Sequence, residues 1–459
     1  VRKEAKAAQA AGYRVTVLWV DVGGARGPVY GEFDGIQTVG LGLSYRLRNR
    51  QMVRRSALEG WFPLWRYWSL DSHKTAAQAA QARNARAAAG GVPALAFNKL
   101  IQAVFRFRSH FYLRYAGRNS QKPPRRRPIS WRRFLTNIQD MDAVVTPWVW
   151  RLEPDLVHAN DIYVLSAVMN ARAIMRRRGR DVPMVYDAHE YVAAYPRGDR
   201  RFDAAYNRME QELAPQFDAV VTVSEPIADA MWRDLKLPHR PVVVHNSPDL
   251  RQTAAPAGRS VRQAAGVAPG VPLMVYSGVI QDQRNVPGVI RALPLMPEVH
   301  FAVVCVPSTT VPLAQRLLDT ARAVGVEDRV HLVEPVAPEA IAEYLSTADV
   351  GIDPMDTHFG QHAYALPNKL FDYLHAGLPV AVSTNEYERQ FVETNQLGTV
   401  FDPDSPDQMA QAVLDAIAGA DRFCQNAKAS GVLAEYSWAG QVERLVTLYQ
   451  ELVPVSSTE

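Results

Sequence analysis

The 459-residue sequence is poor in cysteine, with only Cys305 and Cys424. Both sit in apolar or helical contexts. This argues against a disulfide scaffold or a cysteine-rich zinc site and fits a reducing compartment. No run of 18 or more uncharged apolar residues occurs, so no transmembrane helix is expected. No signal-peptide pattern opens the sequence. An HExxH helix, a four-ligand Cys/His cluster, a GxSxG elbow and a Walker loop are all missing, which sets aside zinc, serine-hydrolase and P-loop chemistry. Acidic residues are scarce early on. Residues 1–150 carry 25 Lys+Arg against 8 Asp+Glu, a balance of +17, and the remainder carries 26 against 39, or −13. The net charge of +4 conceals that asymmetry, and the first third is suited to an anionic surface, acceptor or nucleic acid.

What is present is an alternation. The length implies two or three domains, and 47% hydrophobic with 21% charged residues is ordinary for a globular chain. "RKEAKAAQAAG" reads as a helix with a glycine stop and "YRVTVLWVD" as a strand. An α/β domain ordinarily places a strand before that helix; none stands there, so either the given sequence begins late or the fold lacks its first strand and first βα loop. From Pro183 short apolar strands ("PMVYDAHE", "DAVVTVS", "PVVVHNSPD") alternate with helices, and Ser224 is placed to cap one of them. "DLRQTAAPAGRS" (249–260) has linker composition. A second series follows with six strands, "PLMVYSGVI", "HFAVVCVP", "RVHLVEPV", "ADVGIDPM", "LPVAVST" and "GTVFDP". Helices are expected between them at 286–294, 311–324, 338–347, 367–376 and 406–419. Two such series predict parallel sheets in two doubly wound domains. "SWAGQVERLVTLYQELV" is an amphipathic helix able to reach back to the first domain.

Residues 43–140 break the pattern by mixing aromatics with arginine; residues 101–140 hold ten Lys+Arg and one acidic residue. That mixture suits an interfacial membrane surface and equally a solvated, charged insertion. No nucleic-acid module is recognisable in it.

Ligands of doubly wound folds bind beyond the carboxyl ends of the strands. The stretch "ALPNKLFDYLHAGLPVAVST" (365–384) puts Pro367 at a helix start, where its missing N–H costs nothing. The amides near Leu366, Pro367 and Asn368, the positive helix end and Lys369 together favour an anion. Asp372, one turn in, suits a ribose diol; it could equally serve only the helix dipole. At other strand ends stand His189 and Glu190 in "YDAHE", and Asn160 and Asp161 in "VHAND". The latter two either orient an acceptor or cap a helix.

"PNKLFDYLHAGLPV" resembles the signature of the family 4 glycosyltransferases. "VRKEAKAAQAAGYRVTVL", "PDLVHANDI", "VYDAHE", "DAVVTVSEPIADAM", "VVVHNSPD", "YSGVIQDQRNVPGVIRAL", "DRVHLVEPVAPEAIAEYLSTADVGI" and "EYSWAGQVERLVTLY" resemble the same family in the same order. The resemblance implies a GT-B fold of two Rossmann-like domains facing across a cleft. It places an acceptor-binding domain over 1–248 with an insertion over about 43–135, and the linker over 249–260. A donor-binding domain is placed over 261–435, and a returning helix over 436–453. It implies a retaining, hexosyltransferase-type reaction with a nucleoside-diphosphate sugar, no metal or other cofactor, and no nucleic acid as partner. A lipid-linked or saccharide acceptor at the cytoplasmic membrane face, with 101–135 against anionic lipid, fits the composition. At the donor strand end, which includes Gly278, the family's basic pair maps to Val279 and Arg284. Arg284 and Lys369 are then expected to supply the two cations. The family's paired acids, eight apart, map to Tyr364 and Asp372. His189 matches its cleft histidine, expected to position the sugar. Val279 and Tyr364 also suit a second class, a non-catalytic nucleotide-sugar scaffold or sensor.

Overall fold

The structure is a computed structural model that describes residues 1–22, 28–43, 130–195, 200–248, 259–358 and 360–454. The linker and the basic aromatic insertion lie almost wholly outside them.

All six apolar segments after residue 270 become strands: β8 (Leu273–Val279), β9 (His300–Val306), β10 (Val330–Val333), β11 (Val350–Asp353), β12 (Val380–Ser383) and β13 (Gly398–Phe401). They form one parallel sheet in the order β10-β9-β8-β11-β12-β13. Side chains alternate along β8. Met274 and Tyr276 enter one apolar cluster with Val289, Phe301 and Val413, while Leu273 and Val275 enter another with Leu370, Phe371 and Val380. Both faces are therefore covered by helices, which is why the strands read as continuous apolar runs. The strand order reverses between β8 and β11. That switch point opens a crevice beyond the strand ends, where Gly278 and Asp353 lie.

The first half is built from two sheets. β4 (Val157–Asn160), β5 (Met184–Ala188), β6 (Ala219–Thr222) and β7 (Val242–Val243) are parallel and in sequence order. β1 (Thr16–Val22) pairs in parallel with β3 (Ile36–Leu43), which pairs antiparallel with β2 (Val29–Phe33). Among the described residues no strand joins β1 to β4, so each has one edge without a strand partner. The β2–β3 hairpin turns at Asp34 and Gly35, both at positive φ (48° and 77°), the geometry that an Asp-Gly pair favours.

Contacts tie the halves together. The Ser224 hydroxyl donates to the Tyr364 carbonyl at 2.6 Å, and the Tyr191 amide donates to Gln361 Oε1 at 3.2 Å. The C-terminal helix, Trp438–Leu452, starts on a Ser437 cap and returns to the first half. There Trp438, Leu445 and Tyr449 pack with Ala7, Ala8, Val185 and Val221.

Candidate functional site

A cavity of about 950 Å³ lies between the halves. The second half contributes Gly278, Val279, Arg284, Leu366, Pro367, Asn368, Lys369 and Asp372 to its lining; the first half contributes His189 and Glu190. Sequence reasoning did not place Arg2, Lys3 and Lys6, which extend the lining from the first helix.

The helix Asn368–His375 starts after Pro367, which occupies the N-cap with φ −74° and ψ 146°. The proline ring holds φ near its observed value, and the extended ψ turns the first residues of the helix to the crevice. Lys369 is the element's buried cation. Its Nζ donates to Asp353 Oδ1 at 2.9 Å and sits 5.3 Å from the centre of the Tyr276 ring. Burial pulls its pKa below that of an exposed lysine, and Asp353 opposes this. Gly278 has φ +150°, and a Cβ there would lie 3.3 Å from the Tyr276 hydroxyl, so the position favours glycine beside the lysine stem. Arg284 is half-buried, its Nη1 2.7 Å from Met355 Sδ, and its charge reaches Lys369. The two cations therefore line one crevice, though Lys369 is held by an acid from below.

Two further acids stand beside Lys369. Asp353 is the last residue of β11, and Glu388 is a fully buried residue of the helix Glu386–Asn395. Asp353 Oδ2 and both Glu388 carboxyl oxygens have no hydrogen-bond donor among the described residues. Burial, with the neighbouring Asp353 charge in the same direction, raises the Glu388 pKa well above its ordinary value. The strand-end rule pointed to Asp353; nothing local marked Glu388.

Asp372 lines the crevice one turn into its helix, and burial pushes its pKa up to about 7 against the pull of Lys3 and Lys369. His189 faces it from the opposite half. Its Nε2 lies 3.2 Å from Asp187 Oδ2 and 3.3 Å from Asn160 Oδ1. The Asp187 hydrogen bond raises the His189 pKa, with burial opposing.

Three expected contacts are relocated. Tyr364 does not line the cavity. Its ring packs 5.3 Å from that of Tyr191 and joins the apolar core of the first half, because a large ring is stabilised more there than in a polar crevice. Asp161 turns its Oδ1 to the Ile162 amide at 2.6 Å and caps the short helix Ile162–Val164, with φ 72°. Asn160 touches His189 rather than the cavity itself.

Two Rossmann-like halves facing across a crevice that opens at a strand-order reversal define the GT-B architecture. Solved structures share it. Sucrose-phosphate synthase from Thermosynechococcus elongatus superposes with a TM-score of 0.63 at 14% identity, covering 98% of this chain and 92% of that one. Anabaena HepE in complex with UDP gives 0.54 at 18% identity, covering 67% and 82%. The family model Glycosyltransferase Family 4 matches residues 105–252, and Glycosyl transferases group 1 matches residues 271–419. The chain belongs to glycosyltransferase family 4. The D-inositol 3-phosphate glycosyltransferase of Mycolicibacterium gilvum is 27% identical over 282 residues, 58% of this chain and 60% of that protein. The Mycobacterium ulcerans protein of the same description is 26% identical over 312 residues, 65% and 64%. The chain thus spans less than two thirds of the length of these relatives.

Proposed function

We propose that this chain transfers a glycosyl group from a nucleoside-diphosphate sugar to an acceptor hydroxyl, with retention of anomeric configuration. The observation that carries the reading is convergence: Arg284, Lys369 and the helix start at Leu366–Asn368 meet in one crevice opposite His189. The descriptions of the relatives support glycosyl transfer, and HepE structures hold UDP and UDP-glucose. In the reaction the bond from the anomeric carbon to the diphosphate oxygen breaks, and a bond to the acceptor oxygen forms on the same face. The acceptor's proton passes to the departing phosphate. Negative charge grows on that phosphate, and fixed cations and amides stabilise it without reorganising. Asp372 holds the ribose, His189 positions the sugar, and Glu190 stands on the acceptor side. The reading calls for no metal. A panel of UDP-, GDP-, ADP- and TDP-sugars in thermal shift, followed by a transfer assay with the stabilising donor, tests it. A panel without any stabilisation would remove the nucleotide-sugar.

The acceptor in this reading is a lipid-linked or free saccharide, with the chain at the cytoplasmic face of a membrane in polysaccharide or glycolipid assembly. Its support is the basic, aromatic composition of residues 101–135. No helix among the described residues is long and apolar enough to cross a membrane. Flotation with anionic vesicles, lost at high salt, is the expected result.

A second reading, a nucleotide-sugar scaffold without turnover, is favoured by Val279 at a cation position and by the Asp353 partner of Lys369. Donor binding with neither hydrolysis nor transfer would decide for it.

A further inference from the structure

Four side chains from three separate segments form one row that ends in the cleft. The Tyr449 hydroxyl lies 2.9 Å from His158 Nδ1. His158 Nε2 lies 3.2 Å from Asp187 Oδ2, and the same oxygen lies 3.2 Å from His189 Nε2. Asp187 is buried. A carboxylate oxygen can only accept, so both Nε2 atoms carry hydrogen. With Nε2–H turned to Asp187, a neutral His158 ring presents its lone pair at Nδ1, where the Tyr449 hydroxyl can donate. Both nitrogens of His158 are thereby engaged, which leaves it no lone pair for a cation even though Glu4, His158 and Asp187 place ligand-type atoms within 4.8 Å of one another. His189 hydrogen-bonds through Nε2 to Asn160 Oδ1, with Asp187 Oδ2 beside the same nitrogen as its ion-pair partner, and its Nδ1 remains for the cleft.

We propose that Asp187, His158 and Tyr449 are positioning residues for His189: they hold its ring with Nε2–H turned inward so that Nδ1 meets the ligand. Tyr449 rides on the C-terminal helix, which arrives from the second half, so the row also links the cleft histidine to the seating of that helix. The role at the ligand rests on the glycosyl-transfer reading; the tautomer and the row do not. Electrostatics agree with the geometry. Burial works against ionisation of Asp187, and the hydrogen bonds from His158 and His189 outweigh it, holding its pKa well below the usual carboxylate range. The other charged group facing the row is Glu4, which favours a cationic His189. Glu190 and Lys3 line the adjacent cleft, and Tyr13 packs on Tyr449.

The test is ring nitrogen NMR of the full chain across pH, with His189→Gln and His158→Gln for assignment. The expected spectrum shows both imidazoles as Nε2–H tautomers and His189 titrating above its ordinary 6.5. Asp187→Asn moves the His189 midpoint down, and Tyr449→Phe shifts the His158 Nδ1 resonance while Asp187 keeps that ring in the Nε2–H form. Tyr449→Phe, which removes one hydroxyl, keeps the test open if the aspartate variant does not fold. A His189 in the Nδ1–H form, or a midpoint indifferent to Asp187→Asn, overturns the row. In the transfer assay, Asp187→Asn is expected to lower kcat/KM roughly tenfold and to shift the limb of the pH profile that follows His189. An intact row in a chain without transfer activity defeats the proposed function alone; normal transfer with an absent row defeats this inference alone.

Discussion

The two walls of the cleft place charge by the same device and with different consequences. Each has a buried aspartate at the carboxyl end of a parallel strand, Asp353 on β11 and Asp187 on β5, and each aspartate holds a basic group at the cavity. On the second half the partner is Lys369, 8% exposed; on the first it is His189, 39% exposed. A lysine in a close pair is a standing charge whose loss leaves an orphaned carboxylate. A histidine near neutral pH is an adjustable one. On the proposed reading, the first suits a diphosphate that is always anionic, and the second suits a sugar whose contacts change during the reaction.

That contrast is broken most directly at the lysine. Lys369→Ala is expected to lower donor turnover at least about tenfold, since a fixed cation at a developing phosphate charge has an effect of this size or greater. It also strips a buried acid of its partner, which costs about 3–5 kcal/mol. Adding Asp353→Asn should restore part of the melting temperature and none of the turnover. Near-normal turnover in the single variant would remove Lys369 from the phosphate site, and a double variant no more stable than the single would deny the pair its structural share. Arg284→Ala comes next. This side chain is half-buried and bonded only to a thioether among the contacts described, so its loss should leave the melting curve in place. Nucleotide affinity, read by isothermal titration, should fall about tenfold, or about 1.4 kcal/mol. An unchanged affinity would leave Lys369 and the helix start to hold the diphosphate alone.

The second half was readable because its strands are short apolar runs between helices of ordinary length; its expected helices end within two residues of those observed. Lys369 followed from the polar opening of its helix, and Arg284 from the family resemblance. The β2–β3 hairpin was missed, although Asp34-Gly35 between apolar segments is a hairpin signal, because the arginine-rich stretch after it drew the reading. Tyr364 was misplaced because family position does not fix which way a ring turns in the short helix Gly360–Tyr364, and the neighbouring core competes for it. Asp353 was recoverable from its strand end. Glu388 was not: in sequence it is one more acid in the first turn of a polar helix, and only the packing of that helix buries it. The Tyr449–His158 contact joins residues 291 apart, a distance at which no local pattern speaks.

The remaining effect is the one whose sign is least intuitive. Asp372 has a folded-state pKa of about 7 against an ordinary 3.8, the rise coming from burial with Lys3 and Lys369 pulling the other way. The unfolded chain therefore releases this proton first. Its contribution to stability is fully present below about pH 3.8 and is lost as pH climbs to about 7, above which the loss is constant. Asp372→Asn abolishes that decline. The side chain is only partly shielded from solvent, so the gain at pH 8 is about 1–2 kcal/mol rather than the whole of the shift. Melting temperatures of the two proteins should coincide near pH 4 and separate in favour of the variant between pH 5 and 7. Nucleotide should narrow the gap if the carboxylate accepts ribose hydroxyls, because ligand then stabilises wild type more than the variant. Parallel melting curves across the pH range would mean that Asp372 is solvated in solution, and the crevice would then lose its one carboxylate tuned by burial to meet a neutral diol.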